Sequence, residues 1–138
     1  MIGDIPLSLL TSPLLITLIM SAGFPSPAQD YLEGTLDLNS YLVKHPAATF
    51  FMRMTGDAMA DAGIYDGDLL IVDRSIEAQH NSIIIAVFNG ELTVRKFIKI
   101  KQEIYIKTSY TEKNIKITED IDFSIWGVVT KVIHELVR

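Results

Sequence analysis

The chain is constrained most by what surrounds Asn89-Gly90. Ile83-Ile84-Ile85-Ala86-Val87-Phe88 runs into this pair, and Glu91–Ile100 runs out of it. Asn and Gly are the residues that best tolerate the two positive-φ positions of a type I′ turn, whose twist matches that of paired strands. Two such residues between two apolar runs predict a tight antiparallel hairpin.

Further strand-like runs lie at Ala48–Met54, Leu69–Asp73, Glu103–Thr108, Asn114–Thr118 and Phe123–His134. Leu69–Val72, Ile83–Phe88 and Trp126–Val129 are apolar without alternation, the pattern of strands buried on both faces. Asp37–Lys44 reads as a short helix, with Asp37 as N-cap and His45-Pro46 as its stop. The 138 residues are 49% hydrophobic, enough for one domain with a real core and too few for two full ones. The expected fold is mostly β with short helices, beginning near Tyr31 and preceded by a detachable arm. The predicted division is residues 1–30 for the arm and its linker and 31–138 for the folded domain.

The arm is uncharged from Ile5 to Gln29, and eleven of the eighteen residues Ile5–Ala22 are apolar. A secretory signal lacks its positive start here, since only Asp4 precedes the run. Pro6 and Pro13 interrupt what would be a barely sufficient membrane helix. The segment is expected to cover an apolar surface on its own domain or on a second copy. Gly23-Phe24-Pro25-Ser26-Pro27-Ala28 follows, and two prolines in three residues favour an extended backbone. It reads either as a linker or as a segment presented in strand-like form to a protease. In the second case Ala22-Gly23 is the scissile pair, because two minimal side chains allow close backbone approach.

Several function classes drop out on composition. A net charge of −5 disfavours a general nucleic-acid binder. The absence of cysteine removes disulfides, thiolate metal sites and a cysteine nucleophile. His45, His80 and His134 lack metal-ligand spacing, and no Gly-rich phosphate loop is present. Asp57, Asp61, Asp66 and Asp68 fail the calcium-loop register, so turn and cap roles are expected. No metal and no cofactor are expected. The charge is uneven: residues 1–94 carry −8, 95–116 carry +5 and 117–138 carry −2. The basic stretch reads as a solvated strand face, or as a docking surface for an acidic or nucleic-acid-bearing partner.

The densest chemistry lies in Thr55-Gly56-Asp57-Ala58-Met59, followed by Asp66-Gly67-Asp68-Leu69-Leu70-Ile71-Val72-Asp73. With Ala22-Gly23-Phe24-Pro25-Ser26-Pro27-Ala28, Asp37-Leu38-Asn39, His45-Pro46-Ala47-Ala48-Thr49 and Gly90-Glu91-Leu92-Thr93-Val94, this stretch closely resembles the UmuD and LexA family of self-cleaving serine peptidases. The resemblance covers roughly residues 22–138. It implies a serine nucleophile and a neutral lysine that takes the serine proton, its pKa lowered by burial. It implies that the substrate is the protein's own arm or that of its dimer partner, cut at Ala22-Gly23 when RecA filaments on single-stranded DNA stimulate the reaction.

The chain departs from that pattern at both dyad positions. The nucleophile position holds Ala58, and the general-base position, directly after Val94, holds Arg95. Alanine has no hydroxyl, and arginine stays protonated with a pKa above ~12. Lys96 is adjacent, but alternation along a strand is expected to turn it away from Ala58. The chain as written is expected not to cleave itself. An alanine introduced in the laboratory and a natural pseudopeptidase both fit. Asn81-Ser82 stands where relatives often have Gly-Asp, and a local turn difference is expected.

The resemblance implies a UmuD-like accessory and regulatory subunit of an error-prone translesion polymerase in the bacterial SOS response. Its expected partners are a second copy of the chain, a UmuC-type polymerase and the RecA filament, in the cytoplasm. Sequence-specific DNA binding and membrane attachment are not expected. A LexA- or phage-type repressor needs a helix-turn-helix that 22 mostly apolar residues cannot form. A signal peptidase shares the chemistry, but needs a better membrane segment and an intact dyad. A plain interaction domain that keeps only the fold is the remaining alternative.

Overall fold

A computed structural model describes residues 16–18, 32–108 and 113–137. The chain divides into two compact units, Met1–Lys44 and His45–Arg138.

In the first unit, β1 (Ile16–Leu18) pairs antiparallel with β2 (Leu32–Thr35), with Ile16 opposite Thr35 and Leu18 opposite Leu32. The helix α1 (Leu38–Leu42) follows. Asp37 caps it as expected: Oδ1 accepts from the amides of Asn39 at 3.1 Å and Ser40 at 3.3 Å. Neither short strand was visible in the sequence. Ile16-Thr17-Leu18 is buried in a longer apolar run, and Leu32-Glu33-Gly34-Thr35 carries a glycine that weakens a strand signal.

The second unit is a seven-stranded antiparallel sheet. Its strands are β3 (Thr49–Arg53), β4 (Leu69–Asp73), β5 (Ile83–Phe88), β6 (Glu91–Ile100), β7 (Glu103–Lys107), β8 (Ile115–Ile117) and β9 (Phe123–Ile133), in the order β3-β4-β9-β5-β6-β7-β8. The three unbroken apolar runs fall on β4, β5 and β9, which lie side by side inside the sheet. Burial at consecutive positions, Leu70–Val72, Ile84–Ala86 and Gly127-Val128, shows that both faces of these strands are covered there. The Asn89-Gly90 turn is formed as expected, with φ of 51° and 84°. Among the described residues, no helix is long and apolar enough to cross a membrane.

Alternation along β5 divides the core in two. Ile85 joins Met54, Met59, Ile64, Leu70 and Val72 on one face. Ile84 and Ala86 join Phe97, Ile106 and Val128 on the other. The β5–β9 register slips between Ile85, opposite Gly127, and Ala86, opposite Ile125. Gly127 sits where β4 comes close: a Cβ there would lie 2.6 Å from Val72 Cγ1. A turn spans Gln79–Ser82, with the Ser82 amide donating to the Gln79 carbonyl at 2.9 Å. Asn81 adopts φ 74°, a conformation asparagine tolerates, and its amide donates to the Phe97 carbonyl at 2.8 Å.

At the end of β4, Asp73 is 3% exposed. Burial by itself raises a carboxyl pKa. The bonds from Ser75 Oγ at 2.6 Å, His45 Nδ1 at 2.5 Å and the Ser75 amide at 2.8 Å outweigh it and hold Asp73 below its ordinary value. The bonded carboxylate therefore stabilises the fold above the unfolded-state carboxylate pKa of about 3.9. That stability is lost as pH falls through the lower folded-state value.

Two outcomes are expected from urea unfolding. Gly127→Ala overpacks the β4–β9 contact and lowers stability by about 1–3 kcal/mol. Asp73→Asn lowers stability at pH 7 by about 1–2 kcal/mol, and the gap from wild type closes as pH drops below the carboxylate range. A gap that persists unchanged at acid pH would mean the charge is not what matters.

Candidate active site

The segment between β3 and β4 folds back on itself through backbone bonds. The Met54 amide donates to the Asp68 carbonyl, and the Gly67 amide donates to the Met54 carbonyl, both at 2.8 Å. Gly56, Gly63 and Gly67 take φ between 83° and 87°, which places the bends. Asp66 Oδ1 accepts from the Gly56 amide at 2.7 Å, and Asp68 Oδ2 from the Tyr65 amide at 2.8 Å. These are the turn roles expected of Asp66 and Asp68. Asp68 is 1% exposed, and its Oδ1 lies 2.5 Å from His134 Nδ1. The His134 ring packs against Tyr65 with centroids 5.2 Å apart. No local pattern marks this His134–Asp68 link, because 66 residues separate the partners.

Within this frame Met59 is completely buried, in the cluster with Ile64, Leu70 and Ile85. Ala58, one residue earlier, is exposed. The methionine anchors the turn in the core and the preceding residue is displayed outside it. A nucleophile needs that placement, fixed in the backbone and open to substrate.

A cleft of about 260 Å³ lies beside this turn. One wall is Met52-Arg53-Met54-Thr55, which leads into Gly56, and the other is Leu92-Thr93-Val94 of β6. Leu70 and Ile85 form apolar lining. Hydrogen bonding alternates along an antiparallel pair. The Phe97 amide donates to the Ser82 carbonyl at 2.8 Å, so residues 93, 95 and 97 direct their peptide groups toward β5. Leu92 and Val94 direct theirs the opposite way. The β7 pairing begins only at Lys96. Among the described residues, β6 is therefore an open edge from Glu91 to Arg95, and the cleft runs along it.

Arg95 is half-buried and stands opposite Ile84, whose side chain belongs to the second core cluster. Its guanidinium comes back to the open edge: Nη1 donates to the Val94 carbonyl at 2.8 Å. Lys96 stands opposite Ile83, which packs on the cluster containing Met59. Alternation holds, but its sense differs from the expected one, and the lysine stem starts on the Met59 face. The sequence could not set this sense, because it depends on which face of β6 the β3–β4 turn covers. Ala22 and Gly23 lie outside the described residues.

A family model described as Peptidase S24-like matches residues 13–130. The chain is 45% identical to Protein ImpA of Salmonella typhimurium over 113 residues, covering 82% of this chain and 77% of ImpA. It is 42% identical to Protein MucA of Escherichia coli over 120 residues, covering 86% of this chain and 80% of MucA. It is 32% identical to a LexA repressor of Colwellia psychrerythraea over 118 residues, covering 83% of this chain and 55% of that repressor.

Met59→Ala is expected to leave a cavity under the turn and to lower stability by about 2–5 kcal/mol in urea unfolding. A change within ~0.5 kcal/mol, the range of ordinary surface substitutions, would mean that the side chain does not anchor the loop.

Proposed function

The chain belongs to the peptidase S24-like family, the UmuD and LexA type read from its motifs, and we propose that it is a UmuD-type accessory subunit of an error-prone translesion polymerase. In this reading residues 1–30 are the regulatory arm and 31–138 the peptidase-fold domain. The partners are a second copy, a UmuC-type polymerase and the RecA filament on single-stranded DNA, in the cytoplasm. No cofactor is required.

The observation that carries the reading is an open strand edge along one wall of a cleft whose other wall, Met52–Thr55, leads into the turn that displays residue 58. An extended segment laid along β6 would gain backbone hydrogen bonds from Leu92 and Val94. Its carbonyl could then lie beside residue 58. In an active relative the serine hydroxyl attacks that carbonyl, the lysine takes the hydroxyl proton, and the amine of the next residue leaves protonated. Here Ala58 offers no oxygen to attack with, and the Arg95 guanidinium accepts no proton. In this reading the site keeps the means to hold a peptide and lacks the hydroxyl at position 58 and the base at position 95, and Lys96, which starts on the Met59 face, is the one competing amine that the variants below must exclude.

Incubated with RecA, ATP and single-stranded DNA, the chain is expected to stay full length. Ala58→Ser and Arg95→Lys are each expected to stay uncut, the first for want of a base and the second for want of a nucleophile. The double variant should release residues 1–22 by cutting between Ala22 and Gly23. Its rate should rise with pH toward the lysine pKa, because only the neutral amine accepts the proton. Cutting by Ala58→Ser alone, abolished by adding Lys96→Ala, would move the base to Lys96 and contradict the assignment of Arg95. Failure to co-purify with a UmuC-type polymerase and RecA would leave the fold without the proposed role.

A further inference from the structure

At the far end of the sheet, β6, β7 and β8 carry most of the basic stretch 95–116, which holds +5 in a chain of net charge −5. The register sorts its side chains. Residues directly opposite on paired strands share a face. Lys96 stands opposite Lys107, Ile98 opposite Tyr105, and Tyr105 opposite Lys116. All five therefore lie on one face. The alternate positions are turned to the second core, where Phe97 and Ile106 are buried and Ile104 and Ile117 pack against them. Packing of that core thus collects Lys96, Lys107 and Lys116 on the opposite side, across three adjacent strands. They span roughly 10 Å, two strand spacings.

Tyr105 stands on the middle strand of this lysine group. Glu103 is two residues along β7 on the same face. It accepts from the Tyr105 hydroxyl at 2.6 Å and from Lys116 Nζ at 3.1 Å. The first bond restrains the ring. The second is an exposed ion pair, with side chains 50% and 52% accessible, and such pairs contribute little, so Lys116 can turn to another anion. The negative charge of the whole chain does not oppose this locally. At physiological salt the Debye length is about 8 Å, and charges farther away are screened.

We propose that this face binds single-stranded nucleic acid without regard to sequence, with phosphates against Lys96, Lys107 and Lys116 and a base stacked on the Tyr105 ring. Cations flanking an aromatic ring are the elements of such a surface. The cations are all lysines, point charges suited to phosphate, whereas arginine is the residue whose fork matches a carboxylate. That difference favours a phosphate chain over an acidic peptide. A ring can stack only on a base that is not already stacked and paired, which favours a single strand over a duplex. The face is separate from the cleft, and the inference stands or falls independently of the peptidase reading.

The test titrates the full chain into a short labelled oligothymidylate and follows fluorescence anisotropy across a salt series, with no other protein present. Three phosphate contacts predict that log K falls against log salt with a slope of about −2. Lys96→Gln combined with Lys116→Gln should weaken binding and flatten the slope to about −0.7. Tyr105→Leu should weaken binding about fivefold or more and leave the slope unchanged, because stacking releases no counterions. Tyr105→Phe keeps the ring and should keep most of the affinity. Thermal melts check that each variant is folded. A duplex of the same length and a polyglutamate peptide should both bind more weakly than the single strand. Equal binding by the duplex would overturn the stacked base, and equal binding by polyglutamate would assign the face to an acidic polypeptide instead. Lysine variants that bind like wild type, or no binding at low salt, would overturn the proposal outright.

Discussion

Side chains alternate along β5 and β6 from a fixed starting point, the two-residue turn at Asn89-Gly90. One residue of slippage there would exchange Ile85 with Ile84 and invert both core clusters. It would also swap the peptide groups that face β5 with those that face the cleft. The turn therefore sets which residues form the first core and which carbonyl Arg95 can reach. It also makes Leu92 and Val94 the pair available to a docked strand. Burial of Ile84, Ile85 and Ala86 on alternate faces holds the register in place.

The second constraint is the buried Met59. A loop of this length with three positive-φ glycines would be loose without an anchor. The methionine fixes it to the face that carries Ile85, and Asp66 and Asp68 tie its ends through backbone amides. Exposure of Ala58 follows from these contacts. The two constraints meet at Ile85, which packs with Met59, lines the cleft and stands opposite Val94. One core residue thus links the displayed position to the strand edge.

Much of this was legible in the sequence because local rules decided it. The hairpin, the capped helix, the central strands and the turn roles of Asp66 and Asp68 come from turn chemistry and periodicity. What was not legible depends on contacts between distant residues. The His134–Asp68 pair has no local signature. The strands β1 and β2 are too short for periodicity to reveal. Alternation predicted that Arg95 and Lys96 point apart, but only the packing of Met59 shows which of them starts on its face. The return of the Arg95 guanidinium to the edge is a rotamer choice, and no sequence rule fixes it.

The central claim is that β6 presents an open edge along the cleft, with Leu92 and Val94 outward. Amide hydrogen exchange read residue by residue in the intact chain tests it directly. Slow exchange at Thr93 and Arg95, which face β5, is expected together with faster exchange at Leu92 and Val94. The two faster amides should slow when an extended peptide spanning the Ala22-Gly23 pair is added. Uniform protection across residues 92–95, or the opposite alternation, would contradict the edge and the docking site built on it.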